Sequence, residues 1–451
     1  MERFLIDQVF NKLEVNKSLK FTMILDYHRG HRAFQFPSVT LLRPLKANFQ
    51  PNPNVNIGFY KNPTAPKLLD PLKSVQEVQG VQHIKFAVFD DHVILTGANL
   101  SENYFTERED RYVIFKNNPE LANFCDDLGS TLLDCSFQMN DEGILEFPSN
   151  YHNISKLVSP SVKNKFKSMM KDRVKMLKFI HKDYRPEFQV PKPEKSSVET
   201  ESSLVEYEPR NQGVQKLKKA LKPDQIFNIL KDMPNELNIV TGEGGWSDSL
   251  TKQGKDVYLF PTLQFEQAHC RDDLELFTEL LKTIENVSIA SGYMGFPSQT
   301  VSILKQKKTL ELLCASPLAN GFLGDGAKNW IPYLYRAVEH NLFKKVPQAH
   351  LAEYEREGWT FHGKGIWASD SSGAYLSSIG SSNFSYRSYF RDVEFQVYMW
   401  TRCPEFKRTM LEDKQRLWAF SKSVTAETFK TTEFKYKFPT KILSRLLRSF
   451  L

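Results

Sequence analysis

The stretch His83-Ile-Lys85-Phe-Ala-Val-Phe-Asp90, continuing through Gly97-Ala-Asn99-Leu-Ser101 to Asp110, decides how the chain is read. His83, Lys85, Ala87 and Phe89 share a parity, so an extended strand projects them from one face, imidazole beside ammonium. Asp90-Asp91-His92 reads as a tight turn and Val93-Ile94-Leu95 as the return strand of a hairpin. Asn99 follows in a loop of small residues that brings its amide back toward His83. An imidazole, an ammonium and an amide converging on one point suit an anionic phosphoryl group. As a single copy, the stretch is better read as a half-buried hairpin with a few polar residues.

A second copy changes that. Trp359-Thr-Phe-His362-Gly-Lys364-Gly-Ile-Trp367 repeats the His-x-Lys strand. An Asp- and Ser-rich turn follows, then a return strand Tyr375–Ile379 and Gly380-Ser-Ser-Asn383. Asp110 lies eleven residues after Asn99, and Glu394 eleven after Asn383. The second hairpin loop is five residues longer, which a surface turn tolerates. One His-x-Lys-x4-Asp arises by chance at on the order of a few per cent in a chain this long. Two copies in step mark an internal duplication.

These residues resemble the phospholipase D superfamily, whose duplicated halves each give a His-Lys motif to one shared site. Within it they look closest to the eukaryotic mitochondrial phosphatidylglycerophosphate synthases. The resemblance is carried by Leu25-Asp-Tyr-His-Arg-Gly30, Gln82 to Val113, Ala315-Ser-Pro-Leu-Ala-Asn-Gly-Phe322, Gly358 to Trp367 and Arg391-Asp-Val-Glu394. It implies an α/β fold of two pseudo-symmetric halves, each a mixed β-sheet flanked by helices, sharing one active site. The halves are expected at 1–150 and 237–451, with a basic helix and mobile linker over 151–236. Ser369 stands where the superfamily pattern has Asp, with Asp370 one residue on, a weakened second motif that fits the synthase branch. The family's leader and first strand are not seen ahead of the opening helix pattern, as if an upstream portion were lost.

The implied reaction moves a phosphatidyl group from CDP-diacylglycerol to sn-glycerol 3-phosphate and releases CMP, in phosphatidylglycerol and cardiolipin biosynthesis. By resemblance His83 is the nucleophile and forms a phosphohistidine-type intermediate, and a neutral imidazole suits that role near pH 7. Lys85 and Lys364 would neutralise the non-bridging oxygens while Asn99 and Asn383 donate hydrogen bonds. Asp110 and Glu394, at equivalent repeat positions, would each orient the imidazole of a half. His362 is left for proton transfer with the acceptor hydroxyl. Asp90 would brace the hairpin or Lys85. Arg29, within Asp26-Tyr-His28-Arg29-Gly30 at a strand's C-terminal end, joins Arg387 and Arg391 as a candidate for the acceptor's phosphate, although 26–32 also reads as a solvated loop. The scheme requires no metal or other cofactor. A hydrolytic phospholipase D-type phosphodiesterase acting on lipid or nucleic acid, or a degenerate membrane-binding relative, stays open as an alternative.

The 451 residues suffice for two or three domains, and a net charge of +7 permits a polyanionic partner. No aromatic–basic stacking platform is visible, which argues against nucleic acid and leaves an anionic membrane surface; no protein partner is evident. Five scattered cysteines without a CxxC pair argue against a disulfide scaffold or zinc site. The longest uncharged run, Val287–Leu304, is a core strand plus loop, so the chain should be peripheral to a membrane. The resemblance places it at the matrix face of the mitochondrial inner membrane, with no targeting peptide visible. Residues 160–186 form a basic amphipathic helix that fits either a membrane surface or packing on the domain. The same choice is open for Lys441–Leu451. Residues 187–212, poor in apolar side chains, read as a linker, and Leu237–Thr241 as a strand opening the second half.

Overall fold

The computed structural model describes residues 3–31, 38–48, 54–62, 80–146, 160–180, 257–324, 329–369 and 373–430. The expected linker over 187–212, the strand at 237–241 and the helix at 441–451 lie outside them. Among the described residues, no helix is long and apolar enough to cross a membrane.

The first half opens with the helix Arg3–Val15, whose Ile6 and Leu13 pack with Leu42 and Leu45 of the helix Ser38–Ala47. Beneath them Phe21–Asp26 pairs in parallel with Val55–Tyr60, which continues antiparallel to Ser136–Met139 and Leu145–Glu146. The hairpin Phe86–Phe89 and His92–Thr96 adds Tyr112–Phe115 to form a separate three-stranded antiparallel sheet. Its turn needs a left-handed residue, and Asp90 supplies it at φ 52°. The helix Pro119–Asp134 starts with proline after Asn118, whose Oδ1 accepts from the Leu121 amide at 2.9 Å.

The second half is one nine-stranded sheet. Its centre runs Val257–Phe265, Val393–Thr401, Tyr375–Gly380, Lys364–Ser369, Asn286–Ser291, Thr309–Ala315 and His350–Tyr354. Asn286–Ser291, Thr309–Ala315 and His350–Tyr354 are parallel neighbours and need crossovers; the helices Ser298–Leu304 and Ile331–Lys345 provide them. All nine residues of Val393–Thr401 are buried although Glu394 and Gln396 are polar. Gln396 Nε2 and Tyr398 Oη both donate to Asp273 Oδ1, at 2.9 and 2.7 Å, so that face is satisfied internally.

One apolar core runs through both halves. Phe124 of the first stacks on Phe395 of the second, ring centroids 5.7 Å apart. Truncating such a ring costs about 3–5 kcal/mol. The basic helix Pro160–Ile180 buries Phe166, Met169, Met170, Val174 and Leu177 in the same core. Lys178 meets Asp272 at 2.7 Å and Arg173 meets Asp134 at 3.1 Å, one acid from each half. Of the two readings of this helix, packing on the domain is the one realised, because its apolar side is already covered.

Candidate active site

His83 and His362 each precede a strand, and the same backbone device holds both. Val81 and Gln82 lie parallel to Val393, with the His83 amide donating to the Val393 carbonyl at 2.9 Å. Thr360–Phe361 lies parallel to Arg108–Glu109, with the His362 amide donating to the Glu109 carbonyl at 2.8 Å. The next residue in each partner segment is an acid. Nδ1 of His83 therefore donates to Glu394, at 3.0 and 3.1 Å from its two oxygens, and Nδ1 of His362 to Asp110 Oδ2 at 2.7 Å. The carboxylates are exchanged: each orients the imidazole of the opposite half. An ionised carboxylate only accepts, so the proton sits on Nδ1 and Nε2 carries the free lone pair.

Both imidazoles and both acids are buried, as is Lys364. Lys85 Nζ donates to the His83 carbonyl and Lys364 Nζ to that of His362, both at 2.6 Å. Lys364 also lies against its imidazole, Nζ 2.7 Å from Nδ1 and 3.3 Å from Nε2. Burial, then Lys85, pulls the His83 imidazolium well below its ordinary range, and burial with Lys364 does the same to His362. Burial and Arg29 bring Lys85 down to about 7, and burial brings Lys364 down to about 8. Lys85 responds to Lys364 and Asp110, and Lys364 to Glu394, so the two halves share one electrostatic site. Burial would raise Asp110, but Lys364, the His362 ring and the Arg111 amide outweigh it and leave the carboxyl below its usual range. Glu394 stays raised by burial, because Lys85 and the Ser381 and Ser388 hydroxyls offset only part of it.

The remaining expected residues divide. Asn99 Nδ2 donates to Tyr104 Oη at 2.9 Å, and the Tyr104 ring packs edge-on to His362 at 5.1 Å, so Asn99 serves the opposite imidazole rather than His83. The Asn383 amide side chain makes no hydrogen bond among the described residues, and its Oδ1 is buried. Arg29 stands near His83 and Lys85, to whose charge environment it contributes. It is held by the short helix Tyr27–Gly30, whose capping residue Asp26 accepts from the Arg29 amide at 2.9 Å and the Gln82 amide at 3.0 Å. Arg387, a candidate for the acceptor's phosphate, is drawn to Asp392, Nε to Oδ2 at 2.9 Å. The Arg391 guanidinium lies near Arg387 and Asp392, while its carbonyl takes Asn62 Nδ2 at 3.0 Å. Asp90 sits in the turn of the hairpin it is expected to brace. It is exposed at the hairpin turn and, among the described residues, makes no contact with Lys85.

Three contributors carry no role assigned from the sequence. Arg111, fully buried, reaches from beside Asp110 into the second half. It donates Nε to Asp413 at 2.8 Å, and Nη1 to the Lys364 and Ser378 carbonyls at 2.8 and 2.6 Å. Asp392 accepts from the Val81 amide at 2.8 Å and so anchors the strand ahead of His83. Gly97 leaves space the acid needs: a Cβ there would lie 2.7 Å from Asp110 Oδ1 and 3.2 Å from Lys364 Cδ. Adjacency to Asp110 and Glu394 was the available signal for the first two. His83, Asp392 and Glu394 also bring donor atoms within 4.8 Å of one another. Those of Glu394 and Asp392 are committed to His83, Val81 and Arg387, so the trio reads as an orienting network rather than a cation site.

Two imidazoles with exchanged carboxylates and two flanking lysines, brought together from the two halves, make a site suited to phosphodiester exchange. The mitochondrial CDP-diacylglycerol–glycerol-3-phosphate 3-phosphatidyltransferase of Gallus gallus is 30% identical over 97% of this chain and 74% of its own length. The Homo sapiens protein of that name is 28% identical, over 100% of this chain and 76% of its own. The Saccharomyces cerevisiae CDP-diacylglycerol–glycerol-3-phosphate 3-phosphatidyltransferase is 27% identical over 99% and 81%. The chain belongs to the CDP-diacylglycerol–glycerol-3-phosphate 3-phosphatidyltransferase family. Its fold is that of the Haemophilus influenzae phosphatidylserine synthase, with a TM-score of 0.65 at 16% identity over 100% of this chain and 86% of that one. No protein-family model matches the chain.

Proposed function

We propose that the chain transfers the phosphatidyl group of CDP-diacylglycerol to the 1-hydroxyl of sn-glycerol 3-phosphate, giving phosphatidylglycerophosphate and CMP for phosphatidylglycerol and cardiolipin synthesis. The observation that carries the mechanism is the pair of neutral, buried imidazoles, each with Nδ1 tied to an acid of the other half. His83 Nε2 attacks the lipid phosphorus; the P–N bond forms, the bond to CMP breaks, and CMP leaves as a phosphate that requires little protonation. Lys85, Lys364 and Arg29 neutralise the charge on the phosphorus oxygens. In the second step His362 Nε2 takes the proton of the acceptor hydroxyl, the new P–O bond forms, and the P–N bond to His83 breaks. A depressed imidazole is unprotonated and so available to take a proton, though intrinsically a weaker base, and the Asp110 carboxylate behind His362 stabilises the imidazolium as it forms. All charges in this scheme come from side chains, and we assign no metal to it; chelation should leave the rate unchanged.

The lipid substrate requires a membrane surface. Leu100, Phe105, Leu318 and Leu323 are exposed apolar residues within four positions of Tyr104 or Gly321 in sequence, and those two stand by His362 and Arg108 respectively. They suit the interface of an anionic bilayer; the mitochondrial names of the relatives support a mitochondrial one, and we take the matrix side of the inner membrane as its site. Purified protein given both substrates is expected to release CMP in proportion to glycerol 3-phosphate. Without acceptor the covalent step should release at most one CMP per enzyme; sustained turnover without acceptor would indicate hydrolysis, and no release in any lipid would refute the reading.

A further inference from the structure

The exchanged site is symmetric in its imidazoles but not in what surrounds them. Counting from each acid, Arg108 lies two residues before Asp110, and Asp392 two before Glu394. Equivalent positions of the repeat thus hold opposite charges: a carboxylate beside His83, a guanidinium on the side of His362. Asp392 is satisfied by the Val81 amide and Arg387. Arg108 is held but not neutralised. Its Nε donates to Thr360 Oγ1 at 2.8 Å, two residues ahead of His362, and its Cζ lies 4.7 Å from the centroid of Tyr104. Among the described residues no carboxylate pairs with it, whereas Arg111 has Asp413, Arg336 has Glu339 and Arg387 has Asp392.

The walls around this guanidinium are aromatic and close-fitting. Tyr104 and Tyr293 both set their edges against the His362 ring, with centroids 5.1 and 5.8 Å away, and Tyr335 backs Tyr293 at 5.0 Å. Gly321 closes the loop side: a Cβ there would stand 3.0 Å from Arg108 Nη2 and 3.1 Å from Tyr293 Oη. A half-buried, pre-oriented guanidinium without a counter-ion is a two-pronged receptor for a phosphate.

Chemistry says which phosphate. Displacement at phosphorus runs in line, so an acceptor attacking the lipid phosphorus on His83 must enter from the opposite side, where His362 waits for its proton. The acceptor's own phosphate then lies a few bonds beyond the attacking hydroxyl, on the Tyr104–Tyr293 side. We infer that Arg108, cradled by Tyr104, Tyr293 and Gly321, binds the phosphate of the acceptor and makes the enzyme select a phosphorylated polyol over the free one. This rests on the transferase reading above, and it moves the acceptor phosphate away from Arg387 to a residue at the interface of the two halves.

The test is steady-state transfer with the full chain in CDP-diacylglycerol vesicles. Arg108→Gln is expected to raise KM for glycerol 3-phosphate about ten- to hundredfold, the loss of one charge-assisted pair. The rate with unphosphorylated glycerol should change far less, so the preference collapses. Inorganic phosphate, competing with glycerol 3-phosphate in the unsubstituted enzyme, should lose inhibition by a similar factor. Arg108→Lys, which keeps the charge but not the fork, should fall between the two and serves if the Gln variant does not fold. An unchanged KM and phosphate inhibition in either variant overturns the assignment. So does a parallel loss of CMP release without acceptor, which would put Arg108 on the donor. Failure of the unsubstituted enzyme to consume glycerol 3-phosphate would instead overturn the transferase reading.

Discussion

The two halves hold the same three groups in the same backbone frame, yet give them different electrostatics. Around His362, Asp110 is held below its usual range and Lys364 comes down to about 8. Around His83, Glu394 is raised and Lys85 comes down to about 7. In the proposed mechanism the first arrangement keeps a firm negative charge behind the imidazole that accepts a proton, stabilising the imidazolium as it forms. The second leaves a softer acid behind the imidazole that must bond to phosphorus and later let it go. On the proposed mechanism, a duplicated scaffold serves two roles because each half supplies the other's acid, and the acids differ.

The largest effects should come from breaking one pair at a time. His83→Ala should abolish turnover. Asp110→Asn and Glu394→Gln each keep the shape but favour the wrong tautomer, with losses of about a hundred- to ten-thousandfold expected. Quenched-flow measurement separates them. Asp110→Asn, in the first half by sequence, should slow transfer to the acceptor most, and Glu394→Gln should slow CMP release. If each acid affected the histidine of its own half instead, the exchange would be wrong.

The pH dependence sharpens the same contrast. Charge neutralisation needs protonated lysines, so kcat/KM for CDP-diacylglycerol should fall as pH rises through about 7 to 8, where Lys85 and Lys364 deprotonate. On the acid side the rate should hold until well below the ordinary histidine range, because both imidazoles resist protonation. A bound anionic lipid favours the charged lysines, so the basic limb of kcat should lie at higher pH than that of kcat/KM. A flat profile to pH 10 would contradict the lysine roles.

A smaller loss is expected of Gly97→Ala, about ten- to hundredfold, since the added methyl displaces Asp110 and Lys364 from their contacts. Smallest of all is Asp90→Asn. Asparagine tolerates φ 52° and the side chain faces solvent, so activity should stay within about twofold and stability within about 0.5 kcal/mol of the parent.

The site was legible where spacing alone carries it: His-x-Lys twice, each Asn followed eleven residues later by an acid. Which half an acid would face was not, because equivalent spacing is satisfied equally by pairing within a half or across. The parallel contacts of Val81–His83 with Val393, and of Thr360–His362 with Arg108–Glu109, decide it, and they join residues about 250 to 310 apart in sequence. Arg111 was missed for a related reason, its acceptors being backbone carbonyls of the other half. Val393–Thr401 escaped notice as a strand because its polar positions mimic a solvent face while bonding to buried Asp273. The helix Pro160–Ile180 shows the converse, an amphipathic pattern that suits a membrane or a core and was settled by packing.

Mapping the covalent intermediate tests the shared site most directly. His362→Asn, incubated with labelled CDP-diacylglycerol and no acceptor, then quenched in alkali and digested for mass spectrometry, should accumulate a phosphatidyl group on His83. Finding the label on His362 in the unsubstituted enzyme, or in a His83→Asn variant, would contradict the division of labour between the halves.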